Sequence, residues 1–227
     1  LDIAAGYESD NGAGGITYTM GRGNDVVFKG KSVNFGRQEA EPVAILGSTV
    51  NLDGARIVGA NFVNAAAAQR IVSTEGASGG ARVTASAGNA LSADGAQITG
   101  SKDVYLVGGN VALKSGTIQA GENVNLVAVR DFATNGNSAA AGKDHVIYLD
   151  GAKIKGKDVT TLSGKVQMVN AAEIEGTNDA SLYIGNSFAK TADKKIITYA
   201  TKENTLDMRR SKMTAPVVGL SAGGAGI

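Results

Sequence analysis

Asp94-Gly95-Ala96-Gln97-Ile98-Thr99-Gly100 and Ser115-Gly116-Thr117-Ile118-Gln119-Ala120-Gly121 have their central isoleucines twenty positions apart, and this recurrence decides how the chain is read. Asp53-Gly54-Ala55-Arg56-Ile57-Val58-Gly59 and Asp150-Gly151-Ala152-Lys153-Ile154-Lys155-Gly156 repeat the first phrase closely. Asn170-Ala171-Ala172-Glu173-Ile174-Glu175-Gly176 repeats it loosely, and Gly80-Ala81-Arg82-Val83 reads as a degenerate copy. A second alternating run follows most copies, as in Asp103-Val104-Tyr105-Leu106, Asn123-Val124-Asn125-Leu126, Asp158-Val159-Thr160 and Asp179-Ala180-Ser181-Leu182. The unit is turn, short strand, turn, short strand.

The isoleucines at 57, 98, 118, 154 and 174 are separated by 41, 20, 36 and 20 positions, or one and two turns of a coil of about twenty residues. Each run is too short to be stable alone and alternates apolar with polar residues, so it needs copies of itself above and below. The pattern predicts an all-β fold, a right-handed parallel β-helix (solenoid) with rungs of about 20 residues and a few projecting loops or hairpins. At the strand spacing of ~4.8 Å, roughly eleven rungs give a rod near 50 Å long. The Asp-Gly pairs supply the positive φ that a corner requires.

Composition agrees with a thin aliphatic core: 43% of residues are hydrophobic but only 5% aromatic, with no Trp. Gly numbers 32, about twice the usual share, while Pro numbers only 2, which favours many tight turns over a Pro-rich disordered chain. Residues 1–227 read as one β-helix domain or a segment of a longer one, with 212–227 a frayed end or the start of further rungs. Leu1, without a Met or a leader, suggests a processed product or a piece cut from a longer precursor. Asn64 to Ala68 with Gln69-Arg70, Phe132 to Lys143 and Lys190 to Lys195 break the period and read as insertions.

A net charge of +1 gives no field that would draw nucleic acid, and no apolar stretch is long enough for a membrane span. The absence of Cys removes disulfides, thiolate metal sites and a cysteine nucleophile. The single His145 lies before a strand in Lys143-Asp144-His145-Val146-Ile147-Tyr148. Asp144 or Asp150 could orient it as a base, but the reading preferred here is a solvent-facing residue at the start of a rung. Asp103, Asp158 and Asp179 share a template position, yet the unit lacks the nonapeptide pattern of calcium-binding rolls. Gly21-Arg22-Gly23-Asn24 before Asp25-Val26-Val27-Phe28 is turn then strand, the reverse of a nucleotide site. The sequence therefore nominates no catalytic, metal-binding or cofactor-binding residue.

Pro42-Val43-Ala44-Ile45-Leu46-Gly47-Ser48-Thr49-Val50-Asn51-Leu52-Asp53-Gly54-Ala55-Arg56-Ile57-Val58-Gly59 and Gly116-Thr117-Ile118-Gln119-Ala120-Gly121-Glu122-Asn123-Val124-Asn125-Leu126-Val127-Ala128 resemble the rungs of filamentous-haemagglutinin-like exoproteins. The resemblance covers roughly residues 26 to 185. It implies a bacterial surface adhesin of the two-partner secretion type, exported through a partner outer-membrane transporter to the cell surface or medium. The Asn-Pro motifs typical of that family's amino-terminal secretion domain are missing, since no Asn-Pro pair occurs. The expectation is a monomeric, non-enzymatic rod that meets a host-cell receptor or glycan. A polysaccharide lyase or hydrolase built on Asp150, Glu173 and Lys153 or Lys155 is the rival. A passive stalk of a contact-dependent toxin-delivery filament is the third reading. Arg209-Arg210 with Lys212 is a small basic cluster that could meet a sulfated glycan, although a solvated face is the simpler reading.

Overall fold

The computed structural model describes residues 1–12, 15–36, 41–73, 80–133, 138–191 and 195–222. The described residues form strands and turns with no helix, and so none long and apolar enough to cross a membrane. Two of the three sheets are wholly parallel. The larger has eleven strands, its long members being Arg56–Ala67, Gln97–Gly108, Lys153–Ser163 and Glu173–Ile184. The smaller runs Val26–Val27, Val50–Asn51, Ala90–Ser92, Asn110–Ala112, Val146–Tyr148, Lys165–Met168, Thr205–Met208. Eight strands make up the third sheet, which is antiparallel throughout.

The register superposes the recurring phrases. Ile57, Ile98, Ile118, Ile154 and Ile174 are successive partners in one column, which continues to Val33 at one end and Met213 at the other. Val26, Val50, Leu91, Val111, Ile147, Val166 and Leu206 form the matching column of the smaller sheet. Both columns belong to one apolar cluster in which the five isoleucines are at most 2% exposed. Burying each of them contributes roughly 1.5–3 kcal/mol.

The number of layers differs from the sequence expectation. Ile57 pairs directly with Ile98, and Ile118 with Ile154, so the separations of 41 and 36 are single-layer steps rather than double ones. Seven layers at ~4.8 Å make a stack of roughly 30 Å, not 50 Å. The surplus residues form hairpins. Tyr7–Asp10 with Ile16–Thr19, Arg70–Ser73 with Ala81–Thr84, Asp131–Ala133 with Ser138–Ala140, and Ser187–Lys190 with Ile196–Tyr199 together make the antiparallel sheet. Gly80 to Val83 is therefore not a copy of the template, because Ala81–Thr84 pairs antiparallel with Arg70–Ser73 and Asp131–Ala133. Nor is Asn64 to Ala68 an insertion. Asn64 to Ala67 complete the strand Arg56–Ala67, and small Ala65 and Ala67 are buried beneath Val43–Gly47. Within Lys190 to Lys195, residues 192–194 lie outside the described residues, as do 134–137 within Phe132 to Lys143.

The hairpins leave alternate layers, and geometry requires it. Each contributes two strands spanning twice the ~4.8 Å strand spacing, so one hairpin per two layers builds an outer sheet in step with the stack. The sequence period of twenty thus conceals a two-layer unit of about sixty residues, as from Val50 to Val111 or Ile147 to Leu206. The outer sheet has its own apolar cluster, where Ile71, Val83 and Phe188 meet Val107, Val127 and Leu162 on the outer face of the larger parallel sheet.

At the corner three residues before each isoleucine-column member stand Gly30, Gly54, Gly95, Ser115, Gly151, Ala171 and Arg210, all with positive φ. A Cβ at Gly54 meets nothing within 4 Å, so glycine is favoured there by backbone conformation rather than space. Ala171 and Arg210 occupy the same region at φ 64 and 54 without that freedom. Ala171→Gly and Arg210→Gly are each expected to raise stability by about 0.5–1 kcal/mol, relief of left-handed strain outweighing the looser unfolded chain. Urea unfolding midpoints check this against Gly54→Ala, which should fall.

Beyond the corner of the last layer, Lys212–Thr214 and Val217–Ala222 pair with Glu173–Ile184, while 223–227 lie outside the described residues. Among the described residues, the exposed large apolar side chains Leu1, Tyr7, Ile16, Val27, Ile197, Tyr199, Val217, Val218 and Leu220 all lie in or next to the terminal strands or terminal hairpins of the stack.

Candidate binding groove

Two residues before each member of the smaller sheet's column stand Asn24, Ser48, Asn89, Gly109, His145, Gly164 and Asn204. The large residues fall on layers that receive the chain back from a hairpin, and the small ones on the plain layers between. Asn89 Nδ2 donates to the Ser48 carbonyl at 2.8 Å, and Asn204 Nδ2 to the Gly164 carbonyl at 3.0 Å. His145 occupies the same station, with Nδ1 2.8 Å from the Gly109 carbonyl oxygen. A carbonyl only accepts, so Nδ1 carries the proton. The expectation of a solvent-facing His145 is corrected: the residue is 7% exposed because this station is where the returning chain is fastened to the layer beneath. His145→Asn is expected to be tolerated within about 0.5 kcal/mol, and His145→Ala to cost about 1–3 kcal/mol by stranding a buried carbonyl. Thermal unfolding of the two variants distinguishes these outcomes.

The acidic residues of the template serve the same end. Asp53 Oδ1 accepts from the Asp94 amide at 3.0 Å, Asp94 Oδ1 from the Lys114 amide at 2.8 Å, and Asp103 Oδ1 from the Asn123 amide at 3.0 Å. In the column containing Asp103, Asp158 and Asp179, Asn123 stands between the first two. Asp158 accepts from Asn178 and Asp179 from Ser181. Among the described residues no three acidic or histidine side chains gather as metal ligands. Glu173 is in register with Lys153, and Lys155 pairs with Glu175 at 2.7 Å, on an exposed stretch of the larger sheet. Asp150 is a corner residue in the turn before Lys153–Ser163, and its Oδ1 is buried without a hydrogen-bond partner. Of the basic cluster, Arg209 is tied to Asp207 by two 2.7 Å hydrogen bonds, which hold its guanidinium pKa above the ordinary value.

Where the outer sheet leans on the larger parallel sheet, a groove of ≈ 230 Å³ opens. Tyr105, Asn125 and Thr160 form its floor as mutual partners in three consecutive layers. Its walls come from the last two hairpins through Phe132, Ser138, Phe188, Lys190 and Ile196. The Tyr105 hydroxyl, Asn125 amide and Thr160 hydroxyl carry no hydrogen bond to a described residue, and all three residues line the groove in successive layers. Partial burial, and secondarily the Asp103 carboxylate, hold the Tyr105 hydroxyl protonated above the usual phenol range. Lys190 is the only charged side chain among the lining residues, and no ion pair holds it among the described residues. A polar recess near Arg22 and Gln69 differs, since its Asp25, Thr49, Ser86 and Asn89 are already bonded within a turn or between adjacent layers.

Sequence reading missed the groove. Its floor is assembled by register across 20 and 35 positions, and its walls come from two hairpins that the stretches read as insertions cover only in part. No protein-family model matches the chain, and neither the curated proteins nor the solved structures contain a match to it.

Proposed function

We propose that the chain is a rod segment of a secreted bacterial surface exoprotein of the filamentous-haemagglutinin-like kind, exported through a partner outer-membrane transporter. On this reading the two parallel sheets are faces of one right-handed β-helix, and the antiparallel sheet is an outer face grown from insertions in alternate turns. The observation that carries the reading is the register itself: one column of like residues runs through all seven layers, and the hairpins depart from one station only. Such a frame needs no disulfide and is rigid enough to hold a binding surface away from a cell. The hairpins can vary there without disturbing the core.

The test is adhesion. Beads coated with the purified chain are expected to bind epithelial cells or agglutinate erythrocytes, and soluble chain should compete. Beads that bind neither, while the chain remains folded by circular dichroism, would sink the adhesin reading in favour of a passive stalk.

A further inference from the structure

We infer that the groove over Tyr105, Asn125 and Thr160 binds a short stretch of oligosaccharide bearing an anionic substituent, laid along the stacking axis. The inference rests on the adhesin reading and names the ligand class for it.

A sugar chain presents apolar C–H faces together with hydroxyls that both donate and accept. The groove offers the complement of each. Phe132 and Tyr105 are half-buried rings with accessible surface, and the buried Phe188 lines the groove with them. Tyr105, Asn125 and Thr160, whose polar groups are unpaired, lie one layer apart, so that a polymer repeating its hydroxyls meets residues repeating at ~4.8 Å. An amide and two hydroxyls can each reverse donor and acceptor roles to suit a sugar. The strands are locked on both sides by parallel ladders, so the row is ordered before any ligand arrives and little ordering cost remains for binding.

The alternatives fit less well. An extended peptide binds sheets by adding a strand at an open edge, but Asn123–Ala128, which carries Asn125, is paired on both sides. A nucleic acid needs several cations along its phosphates, and this groove has one. A lipid chain would strand three unpaired polar groups under hydrocarbon. Lys190 supplies the preference for a negative group, whether carboxylate or sulfate.

The experiment titrates the intact chain with neutral, uronate-containing, sialylated and sulfated oligosaccharides, following backbone amide shifts by NMR and affinity by calorimetry. Binding of at least one anionic class is expected, with shifts centred on Tyr105, Asn125, Thr160 and Lys190. Asn125→Ala with Thr160→Val should weaken it at least tenfold without changing the unfolding temperature. Lys190→Gln should remove the preference for anionic over neutral chains, and Tyr105→Phe should weaken binding of both. No binding by any class, preference for a peptide, or affinity unchanged in the Asn125/Thr160 variant would overturn the inference. Cell adhesion that survives in the groove variants sinks this inference and leaves the adhesin reading standing. Glycan binding without cell adhesion does the reverse.

Discussion

Gly109→Ala is expected to destabilise the chain by about 3 kcal/mol or more, the upper end of what overpacking costs, and Gly164→Ala should do the same. A Cβ at Gly109 would stand 1.6 Å from the Ser86 carbonyl oxygen, and one at Gly164 would stand 1.7 Å from that of Gly142. Both obstacles are backbone, so no rotamer change relieves them. The turns Ser86 to Asn89 and Gly142 to His145 return the chain from a hairpin and are seated on the plain layer, whose Gly109 and Gly164 amides donate to Asn89 and His145 carbonyls at 2.8 and 2.9 Å. A methyl group there lifts the turn and breaks these hydrogen bonds. Gly88→Ala is the control, because its Cβ meets nothing closer than the Ser86 hydroxyl at 3.7 Å. It should change stability by less than about 0.5 kcal/mol. Urea unfolding of the three variants reads the difference, and a Gly109→Ala midpoint equal to that of Gly88→Ala would show that the return turn is not pressed against the plain layer that follows it.

The parallel stack was legible because its determinants are local. An isoleucine flanked by polar residues and preceded by a tight corner carries its own instructions, and Ile98 with Ile118 shows the period without interruption. The hairpins were not legible in this way. Arg70–Ser73 and Ala81–Thr84 alternate apolar with polar residues as the template strands do, and only the direction of pairing, which a period does not encode, separates them. A one-layer step enlarged by a hairpin therefore imitates two plain steps. One signal was present and went unread: Asn24, Asn89 and Asn204 each stand two residues before an apolar column member, and His145 stands at the same spacing before Ile147. That alignment alone moves His145 from the solvent to the fastening station. The groove was beyond reach, because Tyr105, Asn125 and Thr160 become neighbours only after every strand is in register, and their opposite wall comes from two hairpins more than fifty positions apart.

Removing the second hairpin, residues 70–84, and joining Gln69 to Ala85 is expected to be the most damaging change, on the order of 5 kcal/mol or more. The join itself is mild, since the Gln69 amide already donates to the Thr84 carbonyl at 2.9 Å, and the two chain ends lie side by side. The loss arises elsewhere. Ile71 and Val83, 7% and 4% exposed, vanish from the outer apolar cluster, uncovering Ala66 and Val107. Ile16–Thr19 and Asp131–Ala133 each lose a full ladder partner, and Asp131 loses the Arg82 guanidinium, whose pKa it holds above the ordinary value. Those two strands cannot close the gap. Each is anchored to its own layer of the stack, and the space left between them is two strands wide, roughly 10 Å on top of the ordinary spacing. Deleting the first hairpin, residues 7–19, removes one ladder from the end of the sheet and exposes far less. Thermal unfolding and amide exchange of the two deletions should therefore differ sharply, with the internal deletion also deprotecting Asp131–Ala133. If the internal deletion were no worse than the terminal one, the outer sheet would be four independent hairpins rather than one continuous surface, and the matching of two strands to two layers would have no mechanical consequence.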